Sequence, residues 1–261
     1  MAFEKLKIEI ETLLHSLKGN YSIAIEMAGQ LFTLNAHQRC EAASVIKIPI
    51  LVEAYRQYEE GKILLEQRLR IPKEQRVGGS GVLTHLSLEA TLTIKDLLTL
   101  MIIVSDNTAT NIMIDLLGRE SIHQLCQIIG CHHTSLQRKL FDQAAIKEGR
   151  HNVISAHDIL LFLREIRNGE RLNETSRREI IKIMEAQQLS NKLPSLIVDY
   201  GDNDPVIAHK TGEVHGVEHD VGIIQHQGRE ALVVILLTDL ESNAEGRQVI
   251  GKIGKAIIEH M

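Results

Sequence analysis

Ser44 and Lys47 stand three residues apart in the stretch Glu41-Ala-Ala-Ser-Val-Ile-Lys-Ile-Pro-Ile50. On a helical turn that spacing puts a hydroxyl and an amine on one face, within hydrogen-bonding reach. A serine is a weak nucleophile until a neighbouring base takes its proton, and a lysine serves as that base when its surroundings disfavour the charged form. Val45, Ile46, Ile48, Ile50, Leu51 and Val52 surround Lys47 with apolar side chains, where an unpaired ammonium is costly to bury. The pair alone is a weak signal, because average composition produces about one S-x-x-K in a chain of this length. Two triplets add to it: Ser105-Asp106-Asn107 and Lys210-Thr211-Gly212. Each has an ordinary explanation, Ser105 or Asp106 as a helix N-cap and Lys210 to Gly212 as a strand edge with a turn glycine. Finding both, in this order after S-x-x-K, is on the order of a one-in-a-thousand event at average composition.

The elements that would hold these residues follow from hydropathy periodicity. Residues 3 to 17 predict an amphipathic helix, stopped by Gly19-Asn20, and Ser22 to Met27 with Leu31 to Leu34 predict a hairpin turning at Gly29. Helices are predicted over Ser44 to Glu60, Thr93 to Val104 with a Thr93/Asp96 capping box, Asn107 to Leu117, Ser121 to Ile129, Ser155 to Arg167 and Glu174 to Gln187. Strands return over Val206 to Lys210, Val221 to Gln225 and Ala231 to Leu237, and a helix over Ala244 to Glu259 closes the chain. This order predicts an α/β fold of the α+β sandwich type. One five-stranded antiparallel sheet is built from both chain ends and flanked by the terminal helices, with an all-helical domain inserted. The expected division is 1–40 plus 203–261 for the sheet domain and 41–202 for the helical domain, with the site at their interface.

Composition narrows the function. The chain has 261 residues, 44% hydrophobic and 24% charged, and a formal charge of -5, so it offers no basic footprint for a phosphate backbone. With no Trp, four Tyr and four Phe it advertises no base-stacking surface, and nucleic acid is not an expected partner. The three cysteines, Cys40, Cys126 and Cys131, do not make a disulfide framework. No apolar run approaches the ~20 residues that span a bilayer, so no membrane partner is expected. Charges interrupt the first twelve residues, so no signal peptide is visible. The expectation is a cytoplasmic monomer, or an exported one if this chain is the trimmed part of a longer precursor.

Ser44-x-x-Lys47, Ser105-Asp106-Asn107 and Lys210-Thr211-Gly212 together resemble the motif set of class A β-lactamases and penicillin-binding proteins, and the resemblance extends through Ser105-Asp-Asn-Thr-Ala-Thr-Asn111. It implies a serine hydrolase that opens the β-lactam amide through an acyl-Ser44 intermediate, without a cofactor. Ser44 would be the nucleophile and Lys47 its base or proton relay. Ser105 would pass a proton to the leaving nitrogen, and Asn107 would hold Lys47 and the substrate amide. Lys210 and Thr211, with Gly212, would bind the substrate carboxylate, and the backbone N–H groups of Ser44 and Glu213 would form the oxyanion hole. Lys210 beside Lys47 would also lower the amine's pKa. The same site on a peptide or ester would make a D-Ala-D-Ala carboxypeptidase or an esterase, and a site that reacts once would make an acyl trap or sensor.

One departure bears on turnover. The family's Glu-x-x-Leu-Asn loop supplies a deacylation base, and aligning Thr134-Ser-Leu-Gln-Arg138 with the start of that loop puts Leu140 at the Glu position and Ala144 at the Asn position. The loop therefore looks more like that of β-lactamase-related hydrolases lacking this Glu, and Asp142 is the candidate substitute. Other signals are set aside. His215-Gly-Val-Glu218-His219 fits an inverted zinc-protease motif, but it falls between two predicted strands, where its imidazoles would not converge as they do on a helix. Cys126 with Cys131-His132-His133 has no standard zinc spacing. Gly78-Gly-Ser-Gly81 lacks the lysine of a phosphate loop and is expected to be a bend lining the cleft.

Overall fold

The computed structural model describes residues 2–197 and 204–261; the expected domain boundary at 202/203 lies outside them. Helix α1 (Ala2–His15) turns Phe3, Leu6, Ile10 and Leu14 inward, a stripe of i, i+3 and i+4 steps. Strands β1 (Asn20–Met27) and β2 (Gln30–Leu34) form the hairpin, whose turn residues Ala28 and Gly29 both have positive φ. Strand β3 (Cys40–Glu41) leads through a tight 3-10 turn, Ala43–Ile46, into α2 (Lys47–Glu59). Next come β4 (Arg68–Arg70), β5 (Thr91–Thr93), α3 (Ile94–Ile103), α4 (Asn107–Leu117), α5 (Arg119–Ile129), α6 (Gln143–Lys147) and β6 (Val153–Ile154). Helices α7 (Ala156–Asn168) and α8 (Glu174–Glu185) precede β7 (Val206–Val214), β8 (Val217–His226), β9 (Arg229–Thr238) and α9 (Asn243–Glu259).

The sheet order is β2-β1-β9-β8-β7, antiparallel throughout. The unbroken apolar run of β9 is explained by its central place, covered on both faces. On one face Ile23, Ile25, Val233 and Ile235 pack with Leu6, Ile253 and Ile257 of α1 and α9. On the other, Ala24, Val234 and Leu236 join Ile48, Leu98, Met113 and Phe162 of the middle helices. The result is three layers, with β7 left as an edge strand beside the 3-10 turn that precedes α2. Among the described residues no helix is long and apolar enough to cross a membrane.

Three local expectations change. Ser44 is not in an α-helix but in the 3-10 turn ahead of α2, a tighter winding in which residues three apart eclipse one another. Lys210 to Gly212 is not the end of a strand, because β7 runs on to Val214. The turn between β7 and β8 is only His215-Gly216, so Glu218 and His219 are strand residues. Two short ladders, β3 with β6 and β4 with β5, were not expected, being only two and three residue pairs long.

Helix α9 packs through the small residues Gly251 and Gly254 against the segment that follows α8. A Cβ on Gly254 would lie 2.1 Å from the Leu193 carbonyl oxygen, a backbone atom that cannot rotate away. Helix propensity favours alanine by about 1 kcal/mol, whereas overpacking costs about 1–3 kcal/mol. Gly254→Ala should therefore lower the urea unfolding midpoint; a raised midpoint would mean that α9 does not sit against Leu193.

Candidate active site

Four oxygens surround the Lys47 nitrogen. The Ser105 carbonyl oxygen is 2.7 Å away, Ser105 Oγ 2.9 Å, Asn107 Oδ1 3.1 Å and Ser44 Oγ 3.1 Å. Two of these, the Ser105 carbonyl and the Asn107 amide oxygen, can only accept. A neutral amine satisfies both with its two N–H bonds and leaves its lone pair for one of the serine hydroxyls. The surroundings favour that form: Lys47 is 0% exposed, and burial first, then the Lys210 charge, lower its pKa well below that of a free lysine, against an opposing pull from Asp106.

Lys210, on β7, approaches from the other side. Its Nζ donates to Ser105 Oγ at 3.1 Å and to the Thr211 carbonyl oxygen at 2.7 Å. Ser105 Oγ therefore bridges two lysine nitrogens. Burial, reinforced by the Lys192 charge and opposed by Asp220, lowers the Lys210 pKa to about 7. Asp220 is itself buried and paired with His209 Nδ1 at 2.8 Å.

The backbone is bent to bring these atoms together. Ser105 has φ 55, a left-handed conformation that costs a non-glycine residue energy, and both its carbonyl and its hydroxyl meet Lys47. Asp106 holds the bend from behind: one carboxylate oxygen caps α4 at the Ala109 N–H, 2.9 Å, and the other accepts from Val82 N at 2.7 Å and Leu83 N at 2.9 Å. That double use ties the Gly78 to Gly81 bend to α4. Asn107 Nδ2 donates to the Gly78 carbonyl at 3.1 Å, which turns Asn107 Oδ1 to Lys47. A side chain at Gly79 would collide with that amide. Gly212 meets a similar demand, since a Cβ there would lie 3.1 Å from Val45 Cγ2 and 3.3 Å from Ala43 Cβ, so glycine lets β7 close on the Ser44 turn.

The open part of the cleft is a cavity of about 320 Å³ whose walls include Ser44, Ser80, Asn107, Leu140, Phe141 and Glu213. Thr211 is buried and, like Lys210, lies outside these walls. The structure thus brings Ser44, Lys47, Ser105, Asn107 and Lys210 into one hydrogen-bonded cluster, with Thr211, Gly212 and Glu213 following along β7.

Leu140 is the wall residue where a deacylation base was sought. Asn111 grips it from both sides, with Leu140 N donating to Asn111 Oδ1 at 2.7 Å and Asn111 Nδ2 donating to the Leu140 carbonyl at 3.0 Å. Asn152 similarly accepts from the N–H groups of Gln137 and Arg138. Asp142 is engaged elsewhere, since its Oδ1 accepts from Ala145 N at 3.0 Å and so caps α6, and it is not a wall residue. The histidine motif between β7 and β8 is also accounted for. His219 Nδ1 accepts from Leu237 N and Nε2 meets the Glu41 carbonyl, while burial lowers its pKa to about 4. Sequence reasoning did not anticipate Phe141 in the cleft wall or Lys192 as a buried charge; a lone lysine after a helix carries no signal that it will be buried.

Burying Lys210 has a testable sign. Its folded pKa, about 7, lies below the free-lysine value of 10.5, so between these pH values the unfolded chain binds more protons and the parent protein gains stability as pH rises. Lys210→Met removes that dependence. Its unfolding midpoint relative to the parent should be most favourable below about pH 7 and lose that advantage toward 10.5. A difference that stays constant across this range would contradict the assignment.

Comparison with known proteins places this geometry. A family model described as the β-lactamase enzyme family matches residues 5–261. The crystal structure of a β-lactamase from Sphaerobacter thermophilus is 28% identical, with a TM-score of 0.90 over 99% of this chain and 96% of that one. A leucine-to-glutamate variant of PBP-A, seen as an acyl-enzyme complex with penicillin G, is 25% identical with a TM-score of 0.87 over 98% of this chain and 96% of that one. The β-lactamase CARB-4 of Pseudomonas aeruginosa is 24% identical, covering 98% of this chain and 90% of its own length. The fold class, the Ser44 to Lys210 cluster and the end-to-end family match agree: this chain belongs to the β-lactamase enzyme family and is a serine hydrolase.

Proposed function

We propose that Ser44 attacks the β-lactam amide with Lys47 as its base, and that the resulting acyl-enzyme clears slowly. The observation that carries this is the Lys47 nitrogen, buried and within hydrogen-bond distance of two obligate acceptors and of the Ser44 and Ser105 hydroxyls, where a neutral amine would turn its lone pair to a hydroxyl. The Ser44 proton moves to Lys47 as Oγ adds to the lactam carbonyl carbon. Ser105 then gives its proton to the lactam nitrogen as the C–N bond breaks, and recovers one from Lys47. Asn107 holds Lys47 in line and faces the substrate side-chain amide. Lys210 with Thr211 binds the substrate carboxylate, and Gly212 lets this part of β7 reach the Ser44 turn. The N–H groups of Ser44 and Glu213 receive the developing oxyanion, an arrangement in which one donor is worth about 3–4 kcal/mol of barrier. PBP-A, of the same fold, has been captured in variant form as a penicillin G acyl-enzyme, which supports β-lactams as the acylating class.

Release of the acyl group is the weak step. Leu140 presents an alkyl wall, and Asp142 caps α6. Loss of a positioned general base costs about 10²–10⁴ in rate. This favours, as a second reading, a penicillin-binding protein that keeps its acyl group. No feature of the cleft singles out a peptide or ester substrate.

Intact-mass spectrometry with penicillin G, followed in time, tests this. One adduct per chain should appear, be absent in Ser44→Ala, and persist. Leu140→Glu should speed its clearance by about 10²-fold or more, because Asn111 already holds the backbone at that position. Rapid clearance by the parent protein would mean that another group supplies the base. No adduct at all would overturn the β-lactam assignment.

A further inference from the structure

We infer that Lys192 is a positioning residue for the oxyanion hole, acting through the Gly212–Glu213 peptide; this rests on the acylation of Ser44 proposed above. Lys192 is 1% exposed and lies between α8 and β7. Its Nζ donates to the Gly212 carbonyl oxygen at 2.8 Å and lies 2.5 Å from Glu218 Oε2. Glu218 is fully buried, and its other oxygen is held by Asn243 Nδ2 at 2.8 Å and Arg247 Nη1 at 2.7 Å, both from α9. The Lys192 ammonium is therefore anchored by a carboxylate that is itself anchored.

The oxygen it holds belongs to the same peptide unit as the Glu213 N–H. That peptide is trans, so its C=O and N–H point in opposite directions. A cation fixed on the oxygen sets the direction of the N–H and polarises the unit, making the N–H a stronger donor. The unit is next to the nucleophile, since Gly212 abuts Ala43 and Val45 on either side of Ser44. Glu213 borders the cleft and Lys192 does not, so Lys192 acts on the peptide from outside the substrate space. Lys192 also lies 3.5 Å from Glu213 Oε2, but neutralising Glu213 and Glu218 does not by itself account for it, because Arg247 pairs with both carboxylates and the carbonyl contact is separate.

The test is infrared difference spectroscopy of the penicillin G acyl-enzyme, whose ester carbonyl stretch falls in frequency as the oxyanion hole pulls on it. Lys192→Met is paired with Glu218→Gln, because removing the cation alone would leave the buried Glu218 Oε2 without the ammonium that faces it. This double variant should show the ester band at higher frequency and acylate about tenfold more slowly, a smaller loss than the ~10²–10³-fold that follows outright removal of an oxyanion donor. Lys192→Gln with Glu218→Gln, which keeps a neutral donor and disturbs the fold less, should fall between parent and Met variant. An unchanged ester band and acylation rate in either pair, even with a lowered unfolding midpoint, would overturn the role of Lys192 and leave it a purely structural cation. A parent protein that gives no ester band with penicillin G would overturn Ser44 acylation itself, and the role of Lys192 with it.

Discussion

Two lysine nitrogens buried on either side of one serine hydroxyl set the terms for the rest of this structure. Lys47 and Lys210 are each 0% exposed and share Ser105 Oγ, with no carboxylate in hydrogen-bond contact with either nitrogen among the described residues. Such an arrangement is unfavourable unless the charge is shed and every remaining polar atom is satisfied. The fold favours both at Lys47. Apolar packing around the first turns of α2 keeps water from Lys47, and carbonyl and amide oxygens from Ser105 and Asn107 take its N–H bonds. The left-handed Ser105, the doubly used Asp106 carboxylate and the glycines at 79 and 212 all bring backbone close to these two amines.

The cleft wall opposite is likewise held by hydrogen bonds but is chemically different. Asn111 and Asn152 clamp residues 137 to 140 through paired backbone contacts, the rigid support a catalytic side chain would need. The side chain on that support is the alkyl group of Leu140. The scaffold for holding an acyl group is thus separable from the group that would release it, and in this chain only the former is evident. On the proposed reading, acylation and deacylation have different physical determinants: buried amines for the first, the residue at 140 for the second.

Much of this was legible in the sequence because it depends on local pattern. The hairpin, the capped α3, the bounds of α4 and the apolar run of β9 follow from spacing, a capping box and burial on two faces. Ser44, Lys47, Ser105 and Lys210, which the structure brings together, could be singled out because they lie in short motifs. What was missed depends on distant contacts. The 3-10 turn at Ser44 packs against β7, a contact distant in sequence, and β7 runs past Gly212 because β8 pairs with it to Val217. Asp142 looked available as a base because sequence cannot show that its carboxylate is already spent on a helix cap. Lys192 lies in no motif, and the contacts behind its proposed role appear only when Glu218, Arg247 and the Gly212 carbonyl are seen around it.

Everything proposed for Ser44 requires Lys47 to be a neutral amine while the hydroxyl awaits its substrate. Nitrogen-15 NMR of lysine-labelled protein, with Lys47→Arg to assign the signal, measures that protonation state directly. Lys47 should titrate well below the free-lysine value of 10.5, and Lys210→Met should raise its pKa by removing the neighbouring charge. A Lys47 resonance that stays in the ammonium range up to the free-lysine value would contradict a neutral base at this site.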